Sequence, residues 1–305
     1  MTGTSVHYNN KKNGAKSCIG PIAEQMKTKG RHAWLLWCGA LLLLLTGLYG
    51  VLIEPYRIRV HHVWINDPLL RKVIDTRIVV QLSDLHSNAF GKREQMVLAM
   101  LDALDPDIIF LTGDYVSWQG DVEPALHFLS LLHAKLGIWA VLGDYDYSRS
   151  RTSCLFCHNE DRKSRASRHA VHFLRNSEEA ITLPGGILTI QGLDGSTEQN
   201  PMSASAVAPL HGAGPLIILS HSPLSFDHIG DERDTLILAG DTHGGQVALP
   251  AWVFSMMGYR KNALYTEGFF EQKKKKMYVS RGIGTSHLPV RLGRRPEMVV
   301  FHFSP

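Results

Sequence analysis

The sequence predicts an α/β domain with parallel strands behind a single N-terminal membrane-spanning helix, and three features carry that expectation. Residues 33–53 form a run of 21 residues without a charge. Between Ile78 and Leu142, short β-branched runs alternate with amphipathic stretches, the strand–helix–strand order that builds parallel sheets. Beyond Ile187, further short strand candidates follow with few helices between them, so the second half reads as a mostly β layer packed beside the first.

Residues 1–32 are a polar, basic tail, residues 33–53 the expected transmembrane anchor, and residues 54–305 the soluble domain. The uncharged run is long enough to cross a hydrocarbon core of roughly 30 Å, and Trp34, Trp37, Tyr49 and Tyr56 stand near its ends as interfacial aromatics do. It starts too far from the N-terminus, and is too long, for a cleaved signal peptide. Lys11, Lys12, Lys16, Lys27, Lys29 and Arg31 precede the span and Arg57, Arg59, Arg71 and Lys72 follow it. That small excess favours a cytoplasmic N-terminus but leaves the side of the soluble domain open. A net charge of +4, scattered along 305 residues, gives no expectation of nucleic-acid binding.

After the anchor, Arg57 to Ile65 alternates as an edge strand does. Ile78–Leu82, Ile108–Leu111 and Ile138–Leu142 are the next strands, with helices carrying Val97, Leu101 and Leu104, then Leu126 and Leu129, between them. Residues 148–168 are polar, basic and Ser-rich and read as an inserted surface loop, followed by a short helix around Ala170 to Leu174. Ile187–Ile190, Leu216–Leu219, Thr235–Leu238, Met277–Val279 and Met298–His302 complete the strands.

Five of these strands run directly into metal-type side chains: Ser83-Asp84-Leu85-His86, Gly113-Asp114, Gly143-Asp144-Tyr145-Asp146, Ser220-His221-Ser222 and Gly240-Asp241-Thr242-His243-Gly244-Gly245-Gln246. One Asp after one strand is an ordinary cap or turn residue. Five clusters at the strand ends of one sheet system point instead to a site. Two divalent ions about 3.5–4 Å apart, which activate a water and clamp a phosphate, require such a set of oxygen and imidazole ligands.

These motifs, with Glu54-Pro55 after the anchor, Thr112-Gly113-Asp114 and Ser280-Arg281-Gly282-Ile283-Gly284-Thr285, resemble the calcineurin-like metallophosphoesterases, and the membrane-associated branches that include UDP-2,3-diacylglucosamine pyrophosphatases. The resemblance implies an αββα sandwich. It also implies one ion on Asp84, His86 and His243, another on Asp144, His221 and Asp241, and Asp114 bridging them. Tyr145 and Asp146 fall on the catalytic motif, and Arg281 is a substrate-binding candidate, although an arginine at a strand end is as often structural. Two departures stand out. The family pattern has Gly-Asn-His-Asp/Glu where this chain has Gly143-Asp144-Tyr145-Asp146, and Gly-His-x-His where it has Gly240-Asp241-Thr242-His243. The second ion thus gains two carboxylates, which favours manganese, magnesium or iron over zinc. The motif histidine that would protonate the leaving group is replaced by Tyr145, a weaker acid.

The expected activity is hydrolysis of a phosphate ester or pyrophosphate bond, in a lipid-linked substrate such as UDP-2,3-diacylglucosamine if the anchor sets the choice. The alternatives are a phosphatase or phosphodiesterase acting on a soluble ester, and a catalytically silent metal-binding module. Lys273 to Lys276 reads as a solvated hairpin tip or a contact with anionic lipid. Cys154-x-x-Cys157-His158 reads as a disulfide or a partial zinc site.

Overall fold

The computed structural model describes residues 20–118, 120–147, 154–157, 165–193, 214–230 and 233–304, with only the backbone of 20–33. Most of the expected tail 1–32, and most of the 148–168 insert with His158, lie outside the described residues. Helix α1 (Gly20–Leu52) carries the apolar run. Residues Trp34–Tyr56 are long enough and apolar enough to cross a membrane, with a mean hydropathy of 2.2.

The compact unit begins at Tyr49. Its first elements are β1 (Arg59–Asn66) and α2 (Pro68–Ile74), whose N-cap Asp67 accepts from the amides of Leu69 and Leu70. Then come β2 (Val79–Leu82), α3 (Lys92–Leu104), β3 (Ile108–Thr112), α4 (Val122–Ser130), β4 (Gly137–Val141) and β5 (Val171–Phe173). The second half holds β6 (Ser177–Leu183), β7 (Gly186–Leu193), β8 (Leu216–Ser220), β9 (Thr235–Ala239), α5 (Ala251–Met256), α6 (Arg260–Leu264), β10 (Gly268–Gln272), β11 (Lys275–Val279) and β12 (Glu297–Ser304).

Among the described residues two six-stranded sheets result, in the orders β1-β12-β2-β3-β4-β5 and β10-β11-β9-β8-β7-β6. Strands β2 to β5 are parallel, as are β7, β8, β9 and β11, while β12 runs antiparallel to β2. Strand β1 is an edge, as its alternation predicts, paired with β12 alone. Between the sheets, Val79, Phe110, Trp139 and Phe301 pack against Leu188, Ile217, Leu219 and Leu238. On the outer face of the first sheet, Val97 and Leu101 of α3 and Leu126 and Leu129 of α4 cover Val80, Ile109 and Leu111. The central strands are buried on both faces, which is why they read as unbroken β-branched runs rather than alternating ones.

The helix expected around Ala170 to Leu174 is instead strand β5. Val171 and Phe173 follow a period of two, and pairing with Ile138 and Ala140 of β4 satisfies a sheet edge that a helix would leave open. Cys154 and Cys157 form a disulfide.

The lysine run is divided between two environments. Lys274 lies exposed in the β10–β11 turn, whereas the Lys275 ammonium is buried and donates to the carbonyls of Phe226 (2.6 Å) and Ile229 (3.0 Å) above the Phe226 ring. Lys275→Met should therefore lower stability by about 1–3 kcal/mol, the cost of leaving buried acceptors unpaired, while Lys274→Met should change it by less than about 0.5 kcal/mol. Thermal unfolding of the two variants reads the difference, and equal effects would contradict it.

Candidate metal centre

Five of the parallel strands, from both sheets, deliver a loop to the same place. Asp84 and His86 follow β2, Asp114 follows β3, Asp144 follows β4, His221 follows β8, and Asp241 and His243 follow β9. The loops are tied to one another through their backbones. Asp84 N donates to Gly113 O at 2.9 Å, His86 N to Asp114 O at 3.0 Å, and Gly240 N to His221 O at 3.0 Å. Across the sheets, Asp241 N donates to both carboxylate oxygens of Asp84 at 3.1 Å.

Asp84, His86, Asp114, Asp241 and His243 all have φ between 44° and 75°. Left-handed backbone at non-glycine residues is rare and costs about 1–3 kcal/mol each, so the concentration of five here marks a site whose geometry overrides local preference. Glycines allow the loops to close. A Cβ at Gly240 would meet Asp84 Oδ2 and Ser83 Oγ, and one at Gly143 would overlap the Asp114 carboxylate.

The side chains that converge all carry atoms able to ligate a cation. His86 Nε2 lies 3.0 Å from His243 Nε2, 3.5 Å separates it from Asp114 Oδ2, and His243 Nε2 is 3.4 Å from Asp84 Oδ1. His221 places Nδ1 2.7 Å from the Thr112 carbonyl, which can only accept, so Nδ1 carries a hydrogen, and in the neutral ring that ligation requires Nε2 presents its lone pair. That buried Nε2 has no hydrogen-bond partner and faces Asp114 Oδ2 at 3.4 Å. One atom each from Asp84, His86 and His243, and likewise from Asp84, Asp114 and His221, lie within 4.8 Å of one another. A cation would satisfy these nitrogen and oxygen atoms together, so the residues fit metal ions.

Burial sets the electrostatics. It lowers His86 to about 4 and takes His243 well below the usual imidazole range, which keeps both neutral and available as ligands. Burial raises Asp84 to about 7. Asp114 is held below the usual carboxylate range by His221, despite burial, and His221 is raised well above its own range by Asp114, also against burial.

Five of the seven residues expected as ligands meet in this way, with Asp84 common to both groups. Asp144 and Asp241 fall in neither group. Their carboxylates turn to Lys261 of α6, whose Nζ is 2.6 Å from Asp241 Oδ2 and 3.9 Å from Asp144 Oδ2. Tyr145 faces the cavity, its hydroxyl 3.4 Å from His287 Nε2 and its ring against those of His86 and Trp118.

Two further expected residues are held away from the cavity. Asp146, grouped with Tyr145 as catalytic, is fully buried, and its carboxylate accepts from the amides of Gly143 (2.8 Å), Asp114 (2.7 Å), Tyr115 (2.8 Å) and Val116 (3.2 Å). It fixes the Asp114 and Asp144 loops and does not face the cavity. Arg281, expected at the substrate, lies outside the cavity lining and pairs with Glu267 (2.5 Å) and Glu297 (3.7 Å).

Three residues at the site escape sequence reading. Lys261 and His287 belong to no motif. Arg291 is fully buried and clamps the carbonyls of Arg281, Gly284 and Arg294, shaping the loop that carries Ser286 and His287.

Comparison with known proteins agrees with this geometry. The calcineurin-like phosphoesterase family pattern matches residues 78–245, more than half of the chain. The chain belongs to that family. It is therefore a metal-dependent phosphoester hydrolase rather than a silent module. It is similar to the uncharacterized metallophosphoesterase YkuE of Bacillus subtilis, 28% identical over 83% of this chain and 88% of that one. It also resembles the UDP-2,3-diacylglucosamine pyrophosphatase LpxG of Chlamydia trachomatis, 27% identical over 79% and 88% of the two chains. A third relative is a transmembrane protein with a metallophosphoesterase domain from Bos taurus, 28% identical over 72% of this chain and 51% of that one.

Asp146→Asn would turn an NH₂ group toward amide donors. We expect a loss on the order of 2–3 kcal/mol, the scale of hydrogen bonds to a buried charge, together with weaker metal retention because the Asp114 loop is no longer held. Thermal unfolding and metal content check this, and a variant with unchanged stability would place Asp146 outside the loop scaffold.

Proposed function

We propose that this chain is an anchored phosphoesterase that hydrolyses the pyrophosphate or phosphate-ester bond of a lipid-linked substrate, of which a UDP-diacylglucosamine is one concrete case. The observation that supports a lipid-linked substrate is the cavity over the candidate metal centre. It encloses about 570 Å³, with Asp114, Asp144, Tyr145, Asp241 and Lys261 among its polar lining. Leu249, Met257 and Leu288, exposed by 38%, 57% and 65%, are among its apolar lining, and Trp252 and Met256 of α5, on the segment between Leu249 and Met257, are exposed as well. Exposed apolar side chains lining a polar site suit an amphipathic molecule, phosphate inward and acyl chain outward. The likeness to LpxG supports the same class, and the apolar helix α1 supports a membrane anchor that keeps the domain within reach of lipid.

When bound, divalent ions supply a polarised phosphoryl oxygen and a water of lowered pKa. In this reading Asp84, His86, Asp114, His221 and His243 hold them, with Asp144 and Asp241 at the edge of the centre. Manganese, magnesium or iron suit the carboxylate-rich set. Tyr145, whose phenol burial holds above its ordinary range, stays protonated at neutral pH and donates a hydrogen bond toward the phosphoryl group.

His243→Ala, in the full chain purified in detergent, should lower metal-dependent hydrolysis of an aryl phosphate on the order of 10³-fold, several kcal/mol of transition-state stabilisation, with the fold retained by circular dichroism. Full activity would refute the ligand assignment. Trp252→Ser with Met257→Ser should lower kcat/KM for a UDP-diacylglucosamine by about tenfold or more, the loss of one or two buried apolar contacts, and leave the aryl ester unaffected. Equal losses on both substrates, or no turnover of the lipid, would favour the soluble-ester reading.

A further inference from the structure

Asp144 and Asp241 bring two negative charges to the half of the centre where the family pattern has neutral side chains, and a cation of the chain's own lies against them. Lys261 is buried to within 9% of its surface, its ammonium in ionic contact with Asp241 and near Asp144, and it lines the cavity beside Asp114 and Tyr145. Its position is built into the fold. The next residue, Asn262, donates through Nδ2 to the Thr242 carbonyl at 2.7 Å, and Thr242 Oγ1 donates to the Thr266 carbonyl at 2.6 Å. Tyr265 N closes the turn on the Lys261 carbonyl at 2.7 Å. The helix that carries the lysine is thereby fastened to the loop that carries Asp241 and His243.

An ammonium at this distance from Asp241 Oδ2 occupies the space a metal ion bound to that oxygen would need, and two cations that close repel strongly in a buried site. Replacing neutral ligands by carboxylates supplies charge that a lysine can balance. We propose that Lys261 is the resident cation beside Asp144 and Asp241, so that the chain retains one tightly bound divalent ion, held by Asp84, His86 and His243 next to Asp114, while a second ion at Asp84, Asp114 and His221, deprived of those two carboxylates, exchanges freely. Lys261 then offsets the two carboxylates at the cavity that the substrate phosphate enters. The inference rests on the metal-dependent reading above and concerns only how many ions the centre retains.

The test uses the full chain in detergent, stripped of metal, loaded with manganese and desalted, with metal counted by mass spectrometry and its coupling read by electron paramagnetic resonance. The wild type should retain one manganese per chain with the six-line spectrum of an isolated ion. Lys261→Met should retain two, with the spectrum of a spin-coupled pair, and Lys261→Arg, which keeps the charge, should stay at one. A coupled pair in the wild type or in Lys261→Arg overturns the proposal, whether or not Lys261→Met folds. A folded Lys261→Met that stays at one ion overturns it as well. A wild type that retains no manganese overturns the metal centre itself and the lysine assignment with it, an outcome distinct from a coupled pair.

Discussion

One carboxylate, that of Asp114, connects the two halves of the centre: it faces His86 on one side and His221 on the other and accepts the amide of Tyr145. Buried lone pairs directed at one another are unfavourable unless a proton or metal ion lies between them. The surrounding structure is arranged to hold that opposition. Asp146 gathers four amides beneath the loop, the left-handed residues turn the side chains inward, and Asp84 accepts the Asp241 amide across the two sheets. Each of these costs conformational freedom or backbone strain, and the packed sheets on either side make the cost bearable. Fully buried Gln81 adds a polar tie behind the site, donating to Thr112 Oγ1 and the Ala239 carbonyl at 3.0 Å each.

The edge of the centre differs from its middle. Asp144 and Asp241 are less buried than Asp84 and Asp114, and they meet a lysine rather than an imidazole. Exchanging two neutral ligands for two carboxylates without another change would concentrate negative charge beside a substrate that is itself anionic, which opposes binding. A lysine in contact with the new carboxylates offsets that repulsion. The two aspartates and Lys261 thus form one electrostatic unit, although Asp144 lies far from the other two in sequence.

The strands and the ligand clusters were legible because each signal is local: a β-branched run, then Gly-Asp or Asp-x-His within a few residues. The same locality hid the rest. Residues 170–174 carry too few side chains to separate helix from strand, and pairing with β4 decided the matter. Asp146 stands two residues from Asp144 and shares its motif, but a tight turn sends one carboxylate to the cavity and the other to backbone amides. Arg281 sits at a strand end like the ligands, yet Glu267 and Glu297 hold it behind the loop. Lys275 is one of four consecutive lysines and is buried only because the carbonyls of Phe226 and Ile229 end a helical turn beneath it. In every such case a partner distant in sequence fixed the role.

The exchange of the motif histidine for Tyr145 bears on which bond the proposed enzyme cleaves. An alkoxide leaving from a simple phosphate monoester needs a proton in the transition state, and a phenol held above its ordinary pKa gives one up reluctantly. The nearby His287 is exposed, and at 3.4 Å from the Tyr145 hydroxyl it makes a long contact that does little to activate it. A phosphate leaving from a pyrophosphate bond departs as a stabilised anion and needs far less protonation. It needs positive charge instead, which bound metal ions would supply, with Lys261 offsetting the carboxylates of Asp144 and Asp241 beside them. A centre poor in acid is therefore better matched to a pyrophosphate than to an alkyl phosphate, in line with the phosphate-inward, chain-outward pose proposed above.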